Sequence, residues 1–215
     1  MKTKRVKKKE KRLVRKKVIA LILLVVLFFI LIIVLGSSLF ENINISINEN
    51  VQSLQTPILN KIMTAITFIG NLNTMLILSL VLLLFLIFRK RKNEFIFSAL
   101  CLFFTAILTE TLKLIFQKQR PIDSLINYSG YSFPSSHAAG AIIFFSLLIY
   151  LFKDEIESKL KGIFLIVIGI LLPILIGFSR IYLNAHWLSD VLAGFITGLF
   201  VLFFFILIFN IKKGK

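Results

Sequence analysis

The sequence predicts an all-α, polytopic membrane protein in which six transmembrane helices form a bundle, with a short interfacial helix before the second span. Hydrophobic residues make up 58% of the 215 positions and charged residues only 17%. The apolar residues form long runs that a water-soluble fold of this size could not bury. The basic residues gather at the termini and in short segments between these runs. We therefore expect one membrane domain over residues 18–211, with tails at 1–17 and 212–215.

The six predicted spans are apolar segments about as long as a membrane is thick. A spanning helix needs roughly 17–25 such residues. Six segments reach or approach that length: Val18–Phe40, Leu72–Phe88, Phe95–Phe116, Ala138–Phe152, Gly162–Phe178 and Val191–Ile211. The third is interrupted near its end by Glu110 and Lys113. Before the second span, Thr56–Ile69 has the composition of a short amphipathic helix that lies in the membrane interface.

The position of the positive charge indicates a membrane surface as its partner rather than nucleic acid. The net charge is +16, and eleven of the 26 Lys and Arg residues fall within the first 17 positions, directly before the first span. Such a segment is typical of topology signals and of attraction to anionic lipid headgroups. No basic surface with interleaved aromatic residues follows, so we expect no nucleic-acid partner. The single cysteine, Cys101, lies in an apolar run and is expected to be buried.

The basic residues also predict the orientation in the membrane. With six spans, the segments 1–17, 89–94, 153–161 and 212–215 share one side and hold 21 of the 26 Lys and Arg residues. The positive-inside rule assigns that side, with both termini, to the cytoplasm. Four of the five remaining cations lie in two short segments at span ends: Lys113, Lys118, Arg120 and Arg180. Cations that break the bias on the outer face indicate a functional site there.

The outer ends of the third and fourth spans carry groups suited to binding phosphate. Arg offers a planar pair of donors that matches phosphate oxygens, and Lys adds a point charge. Lys113 and Arg120 are seven residues apart, close to two helical turns, so one helix face could present both. Pro134-Ser135-Ser136 stands at the predicted start of a helix, where free backbone N–H groups and the helix dipole favour an anion.

Both histidines of the chain lie at the same predicted face. His186 and Asp190 are at i and i+4, so we expect them to be neighbours on a helix face. A carboxylate there can hold one imidazole nitrogen and leave the other free to attack. His137 is then available as proton donor to a leaving group. Together with the cations, these residues predict a histidine-based site for phosphate hydrolysis.

The order and spacing of these residues resemble the signature of the type-2 phosphatidic acid phosphatase superfamily, whose soluble relatives include vanadium haloperoxidases. That signature has three parts: Lys-x6-Arg-Pro, Pro-Ser-Gly-His and Ser-Arg-x5-His-x3-Asp. The first corresponds to Lys113–Pro121 and the third to Ser179–Asp190, both with complete spacing. The second reads Pro134–His137, with Ser136 in place of the family's glycine. The signature region is 95–200, and the six-span layout resembles the branch of bacterial phosphatidylglycerophosphate phosphatase B and undecaprenyl-diphosphate phosphatases.

The resemblance implies a role for each residue. It implies that His186 attacks phosphorus to form a phosphohistidine, that Asp190 orients it, and that His137 protonates the departing oxygen and then activates water. It also implies that five groups hold the phosphate oxygens: Lys113, Arg120, Ser135, Arg180 and the Ser136 amide. No carboxylate cluster in the sequence suggests a metal site, so we expect metal-independent catalysis without a cofactor. Glu110 is expected to form an ion pair with Lys113.

Three functions are compatible with these motifs. The first is a phosphatase that acts on lipid mono- or diphosphates from the outer leaflet, with undecaprenyl diphosphate, phosphatidylglycerophosphate and phosphatidic acid as candidate substrates. The second is a phosphotransferase of the same family, which passes the phosphate to another acceptor. The third is a membrane transport or assembly protein without activity that retains the motif. The presence of every implied catalytic side chain favours the first two.

Overall fold

The computed structural model describes the backbone of residues 2–209 and the side chains of residues 14–209. Within these residues the chain is helical, which confirms the predicted class, and forms eight α-helices: α1 (Lys2–Gly36), α2 (Glu41–Gln52), α3 (Pro57–Ile69), α4 (Leu72–Phe88), α5 (Lys92–Phe116), α6 (Ser136–Phe152), α7 (Lys159–Tyr182) and α8 (Leu188–Phe209). The predicted tail at 212–215 and the end of the sixth predicted span lie outside the described residues. So do the side chains of 1–13, on which the expected contact with anionic headgroups depends.

Among the described residues, four helices are each long and apolar enough to cross a membrane: α1 from Val14 onward, α5, α7 and α8. α3 and α4 meet the same requirement only together, with a bend of 41° between them. α6 is apolar, but its 17 residues extend only about 26 Å, less than the ~30 Å of a hydrocarbon core. The chain is therefore a multi-pass membrane protein with four or five spans by length and composition, and the full set of six remains a prediction.

The C-terminal end of the first span differs from its prediction. α1 ends at Gly36 rather than at Phe40, and a short 3₁₀ turn follows over Ser38–Phe40. The next helix, α2, is polar along most of its length and has no apolar stripe that would have predicted it. This helix returns from the end of α1 and packs against α7 and α8. It therefore lies beside the segment that joins those two helices.

α3 occupies the segment predicted as the interfacial helix, and its start follows from local chemistry. The Thr56 side chain accepts a hydrogen bond from the Leu59 N–H, and Pro57 takes the first helical position, where no N–H is needed. Asn71 caps α4 in the same way by accepting from the Thr74 N–H. The Asn71 cap directly follows Gly70, which ends α3, so the chain forms two short helices with a bend instead of one continuous span. The location of α3 in the membrane interface stays a prediction.

α6 lies at the centre of the bundle, where it packs against α4, α5, α7 and, most extensively, α8. Gly194 and Gly198, four residues apart on α8, face it. A Cβ atom on Gly194 would lie 2.5 Å from the Ser135 carbonyl oxygen, and one on Gly198 would lie 3.0 Å from the Ala139 carbonyl oxygen. Small residues at this spacing let two membrane helices approach until their backbones touch. The two glycines therefore set the distance between the first turns of α6 and α8.

An ion-pair cluster closes the other end of the bundle. Arg91, just before α5, lies 2.5 Å from a carboxylate oxygen of Glu94 and 2.5 Å from one of Glu155. Its guanidinium also lies 5.2 Å from the centre of the Phe152 ring. These contacts bring the segments 89–94 and 153–161 together, as the predicted topology requires.

The contact between α6 and α8 can be tested with one added methyl group. We expect Gly194→Ala to lower the apparent melting temperature in detergent micelles, followed by circular dichroism, by several degrees, because the new Cβ overlaps a backbone oxygen that cannot rotate away. Gly140→Ala on α6 is the matched control, since its nearest neighbour would be the flexible Met75 side chain at 3.7 Å. Equal melting temperatures for the two variants would contradict this account.

The orientation in the membrane is open to cysteine labelling. α5 extends about 37 Å over its 25 residues. The exposed Asn93 lies in its first turn and the exposed Asn127 in the segment that follows its last turn, so the two positions belong to opposite ends of the helix. In a Cys101→Ser background, we expect a cysteine at Asn127 to react with a membrane-impermeant thiol reagent in intact cells. A cysteine at Asn93 should react only after permeabilisation, because the positive-inside rule predicts a cytoplasmic location for it. The reverse pattern would overturn the predicted topology.

Candidate active site

The residues implicated by the sequence converge at the end of the bundle opposite to Arg91. Four helix termini meet there: the last turns of α5 and α7 and the first turns of α6 and α8. The segment from 117 to 135 and the turn from 183 to 187 connect them. The site is thus built on helix ends and on the two connections between them.

His186 and Asp190 are neighbours, but not on a helix face as predicted. α8 begins only at Leu188, so His186 lies in the preceding turn. Its backbone N–H donates to the Arg180 carbonyl at 3.2 Å, which ties the turn back to α7. The ring Nδ1 lies 3.4 Å from Asp190 Oδ2, and this oxygen also accepts from the Trp187 N–H at 2.9 Å. The carboxylate therefore contacts both the imidazole and the turn that carries it.

Arg120 reaches the other nitrogen of the same ring. Its Nη1 lies 2.9 Å from His186 Nε2 and donates to the Ala185 carbonyl at 2.8 Å. A guanidinium can only donate, so Nε2 must be unprotonated and the ring proton must lie on Nδ1, towards Asp190. The predicted shared helix face with Lys113 is wrong, because Gln117 adopts a left-handed conformation (φ 44°) and ends α5 before Arg120. Arg120 enters the site from the following loop instead.

The environment of His186 keeps its imidazole uncharged. Burial lowers the pKa of His186 to about 4, because surroundings without water disfavour the imidazolium. The Asp190 carboxylate raises this pKa, while the charges of Arg120 and Arg180 lower it further. Because the pKa lies well below neutral, Nε2 carries a free lone pair at pH 7, as a nucleophile requires.

Lys113 belongs to a small polar cluster at the end of α5. Its Nζ lies 2.9 Å from Glu110 Oε1, which confirms the expected ion pair. Nζ also donates to Ser136 Oγ, and this hydroxyl donates to Glu110 Oε1 at 3.1 Å. The serine that replaces the family glycine thus contributes a hydroxyl that joins the two charged side chains.

Ser135 and Ser136 start a helix, as predicted. The Ser135 hydroxyl oxygen caps α6 by accepting from the Ala138 N–H at 3.5 Å. The Ser135 N–H donates to the Asp190 carbonyl at 2.9 Å, which joins the first turns of α6 and α8. The N–H groups of the first turn have no acceptor within their own helix and present a partial positive charge. This first turn, where an anion is favoured, is thereby joined to the backbone of Asp190.

The remaining two candidates line the interior of the site. His137, in the first turn of α6, is half-buried and lies in the electrostatic field of four other candidates: Lys113, Arg120, Arg180 and His186. Arg180 lies in the last turn of α7, which continues to Tyr182, beyond the predicted end of that span. It is only 4% exposed and donates to Thr67 Oγ1 at 2.9 Å, while its buried Nε has no partner among the described residues. Such an unused donor is costly unless an anion accepts from it.

Several side chains that form hydrogen bonds to the site were not predicted from the sequence. Asn44 of α2 exchanges two hydrogen bonds with Ser189, from Nδ2 to Oγ and from the Ser189 N–H to Oδ1, each 3.0 Å long. Asn48 donates to Asn184 Oδ1 at 2.5 Å. The spacing of Asn44, Asn48 and Val51 places them on one face of α2, and all three are buried. This spacing is the signal in the sequence that could have predicted a buried face of α2. It is hard to recognise, because asparagines do not form an apolar stripe.

The comparison with known families decides the classification. Residues 94–213, more than half of the chain, match the PAP2 superfamily. The chain belongs to the PAP2 superfamily. The match confirms the resemblance inferred from the three motifs.

Two bacterial relatives of this PAP2 protein carry the names of lipid phosphatases. Phosphatidylglycerophosphatase B of Bacillus subtilis (strain 168) is 29% identical over 161 residues, which cover 74% of this chain and 79% of the relative. Putative undecaprenyl-diphosphatase YbjG of Escherichia coli (strain K12) is 28% identical over 167 residues, which cover 75% and 80%. These similarities confirm the predicted branch of the superfamily and support a lipid phosphatase.

Two solved structures share the fold of this PAP2 protein. The crystal structure of a transmembrane PAP2-type phosphatidylglycerolphosphate phosphatase from Bacillus subtilis matches with a TM-score of 0.76 at 24% identity, over 91% of this chain and 98% of its own. That of Aquifex aeolicus LpxE matches with a TM-score of 0.58 at 26% identity, over 74% and 94%. The helical bundle described above is therefore that of transmembrane PAP2 proteins.

The serine at position 136 generates a prediction for phosphate-release assays. We expect Ser136→Gly to keep the rate within about threefold, because the backbone N–H remains and a partly exposed contact of this kind contributes little. Ser136→Val should be clearly slower, since its two methyl groups meet Lys113 and Glu110 without a hydrogen bond. Ser135→Ala should be slower than Ser136→Gly, because it removes the hydroxyl group that caps α6. A Ser136→Gly enzyme as inactive as His186→Ala would assign the hydroxyl a direct catalytic role.

Proposed function

We propose that this PAP2 protein is an integral-membrane phosphatase that removes the terminal phosphate of a lipid mono- or diphosphate through a phosphohistidine at His186. Undecaprenyl diphosphate and phosphatidylglycerophosphate are the favoured substrates, in line with the names of the two relatives. One observation carries the proposal: Nε2 of His186 accepts from Arg120 while Nδ1 faces Asp190. The ring is therefore held in the tautomer and direction that an attack on phosphorus requires.

In the first step, Nε2 of His186 forms a bond to phosphorus and the bond from phosphorus to the lipid oxygen breaks. The imidazole gains positive charge, which the adjacent Asp190 carboxylate stabilises. His137 gives a proton to the departing oxygen, and the bound phosphate supplies the negative charge that favours a proton on His137 beforehand. The lipid product leaves with this proton on the departing oxygen, as an alcohol from a monophosphate or as a lipid monophosphate from a diphosphate.

In the second step, His137 takes a proton from a water molecule, whose oxygen attacks the phosphohistidine. The bond between phosphorus and Nε2 breaks, His186 returns to its neutral state, and inorganic phosphate is released. The same histidine thus acts first as acid and then as base.

The negative charge of the phosphoryl group is neutralised by side chains in this proposal, without a metal or other cofactor. Lys113, Arg120 and Arg180 supply three positive charges, and the first turn of α6 supplies backbone N–H donors together with the Ser135 hydroxyl. Arg120 exchanges its contact with Nε2 for a phosphate oxygen as phosphorus takes that place. The buried Nε of Arg180 gains an acceptor at the same time. Phosphoryl transfer depends chiefly on such positioning and neutralisation.

The membrane setting completes the proposal. With six spans, the tails 1–17 and 212–215 lie in the cytoplasm and the site faces the other side, where a lipid phosphate of the outer leaflet reaches it at headgroup depth. The basic tail then contacts anionic headgroups of the inner leaflet. Within the domain 18–211, the signature region 95–200 contributes all eight proposed site residues.

Variants of the proposed nucleophile and its partner test the chemistry. We expect His186→Ala to abolish phosphate release by the purified enzyme, and Asp190→Asn to slow it by about 10³–10⁴-fold, because the amide favours the wrong imidazole tautomer. Vanadate, which mimics five-coordinate phosphorus, should inhibit, whereas EDTA should have no effect. Strong inhibition by EDTA that a divalent ion reverses would point to a metal mechanism and remove this assignment.

A substrate panel separates the remaining functions. Release of inorganic phosphate from undecaprenyl diphosphate, phosphatidylglycerophosphate and phosphatidic acid is measured with no added acceptor, with His186→Ala as the blank. Release under these conditions identifies a phosphatase, and the ratio of kcat/KM values ranks the lipids. Turnover only after addition of an acceptor lipid or sugar would identify the phosphotransferase, and no turnover in either condition would favour the transport or assembly protein.

A further inference from the structure

One cation of the outer face has no role in the proposed mechanism. Lys118 lies in the segment after α5, between Lys113 and Arg120, and its side chain is 23% exposed. Its Nζ donates to Ser189 Oγ at 2.8 Å and lies 3.5 Å from Asp190 Oδ1. The nearest charged partner of this lysine is therefore the carboxylate that orients the proposed nucleophile.

The surroundings of the Asp190 carboxylate favour a nearby cation such as Lys118. The carboxylate is completely buried, and its two oxygens differ in their surroundings. Oδ2 accepts from the Trp187 N–H and faces His186, whereas Oδ1 has no hydrogen bond within the described part of the chain. A buried carboxylate with one oxygen unpaired is costly to keep ionised, and a cation at 3.5 Å offsets that cost.

Lys118 is itself held in place from several directions. Ser189 Oγ, which accepts from it, also accepts from Asn44 Nδ2 of α2. The ammonium lies 5.6 Å from the centre of the Phe133 ring, and the Lys118 carbonyl accepts from the Ser132 N–H at 2.8 Å. A long side chain with this many constraints loses little further freedom when it holds a carboxylate. α2 thereby contributes to the position of Lys118, because its Asn44 holds Ser189, which accepts from the lysine.

The geometry also separates Lys118 from the phosphate. Nδ1 and Nε2 point away from each other across the imidazole, with Asp190 on the Nδ1 side and Arg120 on the Nε2 side. Phosphorus must approach Nε2, so a cation bound to Asp190 lies on the far side of the ring. Its influence on the reaction has to pass through the carboxylate.

We propose that Lys118 is a positioning residue of the phosphoryl-transfer reaction, which keeps the Asp190 carboxylate aimed at His186 without contacting the substrate. This inference rests on the proposed function, because it assigns Lys118 a part in the same step. It predicts an effect on kcat, since the imidazole gains charge only as phosphorus is attacked. It predicts little effect on KM, since the proposed phosphate-binding groups at Lys113, Arg120, Arg180 and the start of α6 are left intact.

The pH profile provides a second signature. Loss of the Lys118 cation leaves less positive charge near the ring and favours the imidazolium form of His186. The other charged groups that act on this ring are Asp190, Arg120 and Arg180, and all three stay in place. Protonated His186 cannot attack, so the acid limb of kcat/KM should move to higher pH when Lys118 is replaced.

The experiment compares four purified enzymes in phosphate-release assays across pH: wild type, Lys118→Met, Lys118→Arg and Lys61→Met. Met keeps the length of the stem over Phe133 and removes only the charge. We expect Lys118→Met to lower kcat about tenfold or more, with KM within about twofold, as for other residues that orient a reacting group. Its acid limb should rise by about half a pH unit. Lys118→Arg should recover most of the loss.

Lys61→Met is the matched control, because it makes the same change at an exposed position of α3, and it should match wild type. Sulfate, which mimics the bound phosphate without bonding to Nε2, should inhibit Lys118→Met with unchanged affinity, which shows that the phosphate-binding residues are in place. If Lys118→Met cannot be purified as a folded protein, Lys118→Gln replaces it in the same comparison.

Three results would overturn the role of Lys118. The first is a rise in KM with unchanged kcat, which means direct substrate contact. The second is kinetics equal to those of Lys61→Met. The third is equal losses of sulfate affinity and kcat, which mean a purely structural role. Failure of the proposed function looks different: wild type then releases no phosphate, or His186→Ala remains active.

Discussion

The close approach of α6 and α8 is the constraint on which the rest of the structure depends. Only hydrogen atoms of Gly194 and Gly198 separate the two backbones, since a Cβ on Gly194 would lie 2.5 Å from the Ser135 carbonyl oxygen. This distance allows the Ser135 N–H to reach the Asp190 carbonyl at 2.9 Å. The first turn of α6 is thereby joined to the backbone of Asp190, whose carboxylate faces His186. Packing between two membrane helices thus determines the spacing of the catalytic groups.

The site gathers more positive charge than a buried region stabilises by itself. Arg120 is held by backbone carbonyls, among them Gly130 and Ala185, and Arg180 by a threonine hydroxyl, while one donor of Arg180 is left without a partner. Desolvation makes such an arrangement unfavourable until an anion arrives. The same lack of water makes each cation more effective against phosphate charge. The structure therefore keeps its donors oriented in advance at some expense of stability.

The turn that carries His186 is stabilised from outside the catalytic helices. α2 contributes two buried asparagines, one bound to Ser189 and the other to Asn184, whose left-handed conformation (φ 57°) shapes the turn. Neither asparagine belongs to the three motifs. A helix outside the signature region thus holds residues inside it. The rigidity of the turn keeps Nδ1 directed at Asp190.

The sequence by itself determined the class of the fold, the positions of most apolar helices and the identity of the candidate residues. Hydropathy and the spacing of Lys113–Pro121, Pro134–His137 and Ser179–Asp190 depend on local order along the chain, which a single sequence displays. Tertiary structure alone decided how these residues meet. Arg120 leaves the helix of Lys113 because Gln117 ends it, and His186 precedes its helix. The packing of α2 and the position of Lys118 depend on polar groups that are far apart along the chain: 71 positions separate Lys118 from Ser189, and 145 separate Asn44 from Ser189. Such pairings leave no periodic pattern, because burial of a polar side chain is decided by the partner that it finds in space.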